Sequence, residues 1–597
     1  MGGNEKINYR KDIDGIRAIA VVSVIIFHLG FLPNGYLGVD VFFVISGFLI
    51  TKIVYQEALE NHFSIIDFYL RRLRRIIPLV LISAIVSLLI GVLVMLPDDL
   101  ENLAQSVFAT NFFSNNILLL ITSRDYWNIA NEYKPLMHTW SLGVEEQFYI
   151  IYPILFLILK GDKRKYILAV LIILSIISIS LYLFLKDDNA KFYLIQYRFF
   201  ELSFGGLAAI IFKDKKFKTI YSFFITLGIV FILITNFSFL NDIKLVLIVV
   251  LSATLLVLGT NGSKINAWFL ENTVMVWLGK ISFSLYMWHQ IILAYTRYFI
   301  VEKINIPTAI VIFMVVLIVS FISYFIIEQP FRNKKNVSTK KLLIVTGILF
   351  VFSTATAFYI YSVGGIIRNV PELNVYTSKR ELNQDLKWTV NTEYNSNIHS
   401  YNRKFLNNGK TKIFIVGNSF ARDFANVLLE SKIGKDIDLS YVSSRYICPD
   451  FQERISQANY VLFSELKIKE LKLYIDNYKL DTTKVWNIGT KNFGYNNGII
   501  YNKKRDTNYC KQRTEMRAGF FEKNDSLQKE WKSKYINLIQ LVIDKDKKMP
   551  IFSPNCKFIS QDCEHLTQDG AQYFAKLLNI DKIIKVNQTK IISDRDK

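Results

Sequence analysis

The segment 17–32 reads RAIAVVSVIIFHLGFL, and its reading decides the fold. It is apolar and long enough to enter a bilayer, yet it carries Arg17 at one end and His28 inside. In a helix, the eleven steps from Arg17 to His28 give about 16 Å of rise and about 20° of rotation. Both side chains therefore share one face at two depths. An ionisable group inside a membrane span is costly and by default marks function. A packing histidine bonded to a neighbouring helix would leave the same signature.

Comparable segments follow. Of 597 residues, 51% are hydrophobic and the mean hydropathy is +0.26, but the long apolar runs end near residue 363. We expect eleven spans, at 16–32, 37–55, 76–96, 143–159, 166–185, 192–212, 219–237, 243–259, 281–300, 306–327 and 341–363. A soluble domain of about 200 residues follows. The lipid bilayer is thus the first expected partner. No cleavable signal peptide is expected, because the first apolar segment runs straight into others.

The formal net charge of +21 would suggest nucleic acid in a soluble protein. Here Lys and Arg gather in alternate loops: Lys6, Arg10 and Lys11, then Arg71, Arg72, Arg74 and Arg75, then residues 160–165, 213–218, Lys264, Lys280 and 332–341. The other loops hold only Arg124, Lys134, Lys186, Lys191 and Lys303. This asymmetry predicts a cytoplasmic N-terminus, and an odd number of spans then puts the second half outside. No nucleic-acid partner is expected. The apolar stretch 103–121 is interrupted by Asn111, Ser114, Asn115 and Asn116; counted as a span it would invert everything after it, so we read a re-entrant or outer-surface helix.

All four cysteines, Cys448, Cys510, Cys556 and Cys563, lie in the second half, without paired metal-ribbon spacing. No metal site is expected. In an oxidising compartment two disulfides are the natural reading. The pairing stays open, although Cys556 and Cys563 could close a short loop.

Several spans carry polar groups: Asp40, then His138, Glu145 and Glu146, then Arg198 with Glu201 one turn on. Further along come Ser282, Tyr286 and His289 on one face, then Glu328 and Arg332. Each alone suits helix packing; together they predict a polar cavity. The cluster Arg71, Arg72, Arg74 and Arg75 could be a positive-inside anchor, or an anion clamp for the phosphates of a cytosolic donor.

In the second half, KIFIVGNSFARDFANVLLE (412–430) reads as strand, tight turn and helix, with Ser419 at the helix N-terminus. That position offers N–H donors to an oxyanion, though a serine there also simply caps a helix. Far downstream, Asp562 and His565 precede a helix beginning near Thr567. A nucleophilic serine needs a base, and the base an orienting acceptor.

The motifs GIRAIAVVSVIIFH, GYLGVDVFFVISGFLIT, FYLRRLRRIIP, HTWSLGVEEQFYIIYP, RFFELSFGG, ISFSLYMWH and IEQPFR, spread over about residues 8–335, together resemble the integral-membrane acyltransferase family 3. The resemblance implies transfer of an acyl group, usually acetyl, from cytosolic acetyl-CoA to cell-surface carbohydrate. It implies roles for Arg17 and His28, for an Arg-x-x-Arg element at Arg71/Arg74 or Arg72/Arg75 near the donor, and for the acidic pair Glu145 and Glu146. Residues 410–580 resemble the SGNH-type esterase and acyltransferase fold, a parallel sheet flanked by helices. There the resemblance makes Ser419 nucleophile, His565 base, Asp562 its partner and Asn492 an oxyanion donor. The usual Gly-Asp-Ser stands here as Gly417-Asn418-Ser419, and no glycine block supplies a second donor.

The expected architecture is a polytopic α-helical membrane domain (1–340), a linking span (341–363), an extension (364–408) and an extracytoplasmic SGNH-type α/β domain (409–597). This fusion resembles bacterial O-acetyltransferases of surface polysaccharide. It implies a multi-pass protein of the bacterial inner membrane with acetyl-CoA as donor substrate and no resident cofactor. Lipid-linked O-antigen of lipopolysaccharide is the expected acceptor, with peptidoglycan the same-class alternative. A tethered carbohydrate esterase and a transporter with a glycan-binding outer domain remain open.

Overall fold

The computed structural model describes residues 9–123, 131–159, 165–212, 220–235, 241–260, 263–299, 304–379, 390–443, 448–504 and 506–585. The loop cations Lys6, Arg124, Lys160, Lys163, Arg164, Lys213, Lys215, Lys216, Lys218 and Lys303 lie outside them. The chain separates into two compact units, residues 1–93 with 99–361 and residues 94–98 with 362–597.

Among the described residues, every expected span contains a helix. The long helices are α1 (Lys11–His28), α2 (Gly38–Leu59), α3 (Ile65–Val94), α4 (Thr139–Ile158), α5 (Ile167–Phe184) and α6 (Ile195–Ile211), then α7 (Tyr221–Ile234), α8 (Asn241–Leu258), α9 (Ser282–Phe299), α10 (Ile306–Ser323) and α11 (Thr339–Ser362). Among the described residues, six helical stretches are long and apolar enough to cross a membrane: Gly35–Leu59, Ile65–Val94, Thr139–Ile158, Ile167–Phe184, Ile306–Arg332 and Thr339–Ser362. This is a multi-pass membrane unit, in which six helical stretches among the described residues meet that standard where eleven spans were expected.

Two boundaries depart from expectation for visible reasons. Helix α1 starts at Lys11, with Asp12 and Asp14 in its first turn, where carboxylates favour the helix dipole; it stops at His28, two residues before Gly30 at φ 91°. Helix α3 starts at Ile65, so the four arginines ride on a helix of 30 residues instead of in a loop. Arg and Leu are good helix formers, so the run propagates a helix rather than ending one. The interrupted stretch 103–121 spans two helices, Pro97–Asn111 and Asn115–Ser123, broken around Phe113 at φ 53°. Its asparagines anchor the break: Asn111 donates to Ser353 Oγ (2.9 Å), Asn115 to Leu136 O (2.9 Å) and Asn116 to Tyr193 O (3.0 Å).

At the centre α2 and α6 cross with their backbones in contact. A Cβ on Gly47 would lie 1.8 Å from Leu202 O, and one on Gly205 2.0 Å from Val44 O. Reciprocal small residues permit such approach, which is how helices pack where lipid gives no hydrophobic drive between them. The pair is also pinned electrostatically: Arg198 on α6 meets Glu201 (3.0 Å), as its spacing suggested, and also Asp40 on α2 (2.5 Å).

The second unit carries a parallel sheet in the order β2-β1-β3-β4-β6, with β1 Thr411–Val416, β2 Ile437–Val442, β3 Tyr460–Ser464, β4 Val485–Ile488 and β6 Tyr535–Ile536. Strands β5 (Arg513–Glu515) and β7 (Lys548–Pro550) form a separate antiparallel pair. Alternate residues of β1 enter two cores, Ile413 and Ile415 on one face, Phe414 and Val416 on the other, so both faces are covered, as parallel sheets require. The extension is part of this unit: Ile366, Val370, Leu373 and Val375 pack with Tyr509, Ile551, Phe552 and Phe558. One disulfide is present, Cys510–Cys556, while Cys448 and Cys563 are free and buried. Neither the two-disulfide reading nor the short Cys556–Cys563 loop stands.

Candidate active site

Strand order 2-1-3 makes the carboxyl end of β1 a switch point, where open parallel sheets form their crevice. The chain leaves β1 through Gly417 at φ 147°, where a Cβ would sit 2.2 Å from Ser464 Oγ. Asn418 then caps helix α12 (Ser419–Glu430), its Oδ1 accepting from Phe420 N at 3.0 Å and from Ser464 Oγ at 2.9 Å. Capping thus falls to Asn418, and the hydroxyl of Ser419 is left for other contacts.

That hydroxyl meets His565: Nε2 lies 2.7 Å from Ser419 Oγ. The other ring nitrogen, Nδ1, lies 2.5 Å from Asp562 Oδ2. Asp562 Oδ1 also accepts from the backbone N–H groups of His565 (2.7 Å) and Glu564 (3.0 Å). Burial works to raise the Asp562 carboxyl, but the charge of His565 and these hydrogen bonds outweigh it and hold the group well below the usual carboxylate range. Thr567 caps the following helix, α13 (Gln568–Leu577), through Gly570 N at 3.0 Å.

A second carboxylate, missed in the sequence, lies behind the first. Asp423, one turn beyond Ser419 on α12, accepts Leu566 N (2.9 Å) and pairs with Lys491 Nζ (2.7 Å) and Arg422 Nη2 (2.9 Å). Asp423 and Lys491 are both 0% exposed, and the ammonium also lies 4.0 Å from the centre of the Phe420 ring. Burial raises the Asp423 carboxyl; Lys491, Arg422 and His565 together lower it further, below the ordinary range. One side chain therefore ties the helix of Ser419 to the loop of His565. The only prior signal was Asp423 at the fourth residue after Ser419, a same-face spacing. Asn492 is buried and engaged with backbone: Nδ2 donates to Cys563 O (3.2 Å), and Oδ1 accepts from Gly494 N (3.1 Å) and Arg517 N (2.9 Å). It braces the loop leading to His565.

The membrane unit holds its own cavity, about 780 Å³ of empty space including its open mouth. Arg17, Arg72 and Arg75 form its basic part, Ser46, Glu145, Tyr149 and Tyr286 its polar part, and Phe42, Phe43, Ile45, Leu49 and Ile76 its apolar part. Glu145 is held by the hydroxyls of Ser46 and Tyr149. The other two arginines are elsewhere: Arg71 pairs with Glu57 at 2.9 Å, and Arg74 donates to Phe331 O (3.1 Å), Val337 O (2.7 Å) and Thr339 Oγ1 (3.1 Å). Of the two Arg-x-x-Arg registers, Arg72/Arg75 is the one that lines the cavity.

His28 is not among the residues lining that cavity. Its Nδ1 lies 3.1 Å from His289 Nε2, and the His289 ring is 5.3 Å from that of His138. Tyr286 links this cluster to the cavity, its hydroxyl donating to His138 O (2.9 Å) and lying 2.6 Å from Ser141 Oγ.

Residues 10–326 match the acyltransferase domain family. Two similar relatives are the O-acetyltransferase OatA of Staphylococcus aureus strain NCTC 8325 / PS 47 and that of strain COL, each 32% identical over 349 residues, 55% of this chain and 58% of the relative. The chain thus spans less than two thirds of the length of the curated relatives it matches. No solved structure matches it.

Proposed function

The chain belongs to the acyltransferase domain family, and from that premise we propose that it is an O-acetyltransferase moving acetyl from acetyl-CoA across the membrane to a surface-glycan hydroxyl. The observation that carries the second half of this route is His565 bridging Ser419 and Asp562 at 2.7 and 2.5 Å. The Lys/Arg bias supports a cytoplasmic N-terminus, hence a donor arriving from the cytoplasm with its phosphates against Arg17, Arg72 and Arg75 and its acyl end toward Glu145 and Tyr286. His28 acts as base in the membrane unit.

In the SGNH-type domain, Ser419 Oγ attacks the acyl carbonyl while His565 Nε2 takes its proton. The tetrahedral oxyanion is stabilised at the N-terminus of α12, and the leaving group departs with the proton from His565. The acyl-serine is then attacked by a sugar hydroxyl, whose proton passes through His565 back to Ser419. Asp562 keeps the imidazole oriented and stabilises its charged form. Splitting the transfer in two lowers each barrier.

Lipid-linked O-antigen and peptidoglycan both offer the required hydroxyl. The O-acetyltransferase name of the relatives is compatible with either acceptor. The test follows labelled acetyl from acetyl-CoA into glycan in membranes, for wild type, Ser419→Ala and His28→Ala. Both variants should lose transfer; transfer undiminished in both refutes the mechanism. Net deacetylation of acetylated glycan would point to the esterase, and solute flux without acetyl chemistry to the transporter. NMR of the product glycan identifies the hydroxyl.

A further inference from the structure

His289 has no task in the route so far, although it is 1% exposed and touches the half-buried His28. Its surroundings determine where the protons of both rings sit. His289 Nδ1 lies 2.6 Å from the backbone carbonyl oxygen of Tyr286. A carbonyl only accepts, so Nδ1 must carry the hydrogen. In a neutral imidazole one nitrogen donates and the other accepts, which makes Nε2 of His289 an acceptor. That nitrogen faces His28 Nδ1 at 3.1 Å, so the hydrogen between the rings belongs to His28 Nδ1. The remaining nitrogen of His28, Nε2, is then left with its lone pair. The Val24 carbonyl also accepts from the His28 ring, and among the described residues no side chain other than His289 bonds to that ring.

We propose that His289 is the positioning residue that fixes the tautomer of His28 and makes its Nε2 the atom that takes up a proton. The chain Tyr286 O, His289, His28 parallels the second unit, where the Asp562 carboxylate holds Nδ1–H of His565 and Ser419 Oγ faces Nε2. Here the acceptor is a neutral imidazole in place of a carboxylate. The proposal rests on His28 acting as a base in acyl transfer. An acceptor hydroxyl attacks the thioester carbonyl, a C–O bond forms and the C–S bond breaks. The hydroxyl proton goes to His28 Nε2 and then to the departing thiolate. During its lifetime the imidazolium of His28 is held by its Nδ1–H bond to His289. This orienting role is the one metal-bound and catalytic histidines commonly need from a neighbour.

The experiment measures transfer from labelled acetyl-CoA by the full chain in membranes. His289→Leu removes the acceptor and fills the space. His289→Gln keeps an oxygen able to accept from His28 Nδ1–H. H289L should lower kcat by about 10²-fold with the donor KM unchanged, and H289Q should recover most of the loss. The H28A/H289L double variant should be no slower than H28A alone. Equal loss in H289Q and H289L, a change confined to KM, or additive loss in the double variant overturns the assignment. On the unsubstituted chain, diethyl pyrocarbonate should carbethoxylate His28 and spare His289; the reverse order also overturns it. Full activity of H28A would instead defeat the reading on which the assignment rests.

Discussion

Lys491→Met tests the buried network behind Ser419. The ammonium and the Asp423 carboxylate are 2.7 Å apart and both 0% exposed. Removing one partner of a buried pair leaves an uncompensated charge and usually costs 3–5 kcal/mol. Asp423 keeps Arg422 at 2.9 Å and Leu566 N at 2.9 Å, so the lower end applies, about 3 kcal/mol. For a unit of this size that corresponds to a fall in melting temperature of about 6–12 °C. The four cysteines all lie in the second unit, which gives a selective assay. Maleimide labelling of the buried thiols Cys448 and Cys563 during a temperature ramp reports unfolding of that unit within the intact protein. D423L/K491M removes both charges and should melt above K491M. A K491M transition within 1 °C of wild type, or a double variant that loses the full sum of both single losses, would refute the buried-pair account.

Three further outcomes follow from the same geometry. Asp562 and Asp423 are both held below the ordinary 3.8, so each contributes stability that is present above that value and lost as pH falls toward the lower folded value. Acid unfolding of the second unit should therefore steepen below about pH 4, and less so in Asp562→Asn, followed by the same thiol labelling. Arg72→Ala and Arg75→Ala should raise the donor KM by about tenfold or more, the loss of one charge-assisted contact, whereas Arg71→Ala should match wild type in the same transfer assay. Denatured, unreduced chain should take up two maleimides by mass and reduced chain four, since Cys510–Cys556 is the bonded pair.

Features set by neighbouring residues were legible in the sequence. The serine after β1 and the Asp562–His565 turn each fit within a few residues, and the long-range contact between them follows from chemistry, since each lacks something the other supplies. The Arg198–Glu201 pair was readable for the same reason. What failed depended on phase or distance. With the arginine cluster read as a loop there was no way to choose between registers. Once α3 runs from Ile65, both registers are i, i+3 pairs on a helix, and only the tertiary surroundings separate them: Arg72 and Arg75 line the cavity, while Arg71 pairs with Glu57 and Arg74 with backbone carbonyls. The disulfide joins residues separated by 46 positions, and the Asp423–Lys491 pair bridges a helix and a loop beyond β4. Neither leaves a local pattern.

The backbone contact between α2 and α6 bears on how the membrane cavity could be redesigned. A helix whose glycines already touch the neighbouring carbonyls cannot move closer, and the Arg198 bridge to Asp40 resists its moving away. Yet this same helix supplies Phe42, Phe43, Ile45 and Leu49 to the cavity wall. Breathing of α2 against α6 cannot widen that wall, so on the proposed route the size of acyl chain admitted is set by individual side-chain volumes. Trimming Phe42 or Phe43 is therefore the direct route to a transferase for longer acyl groups.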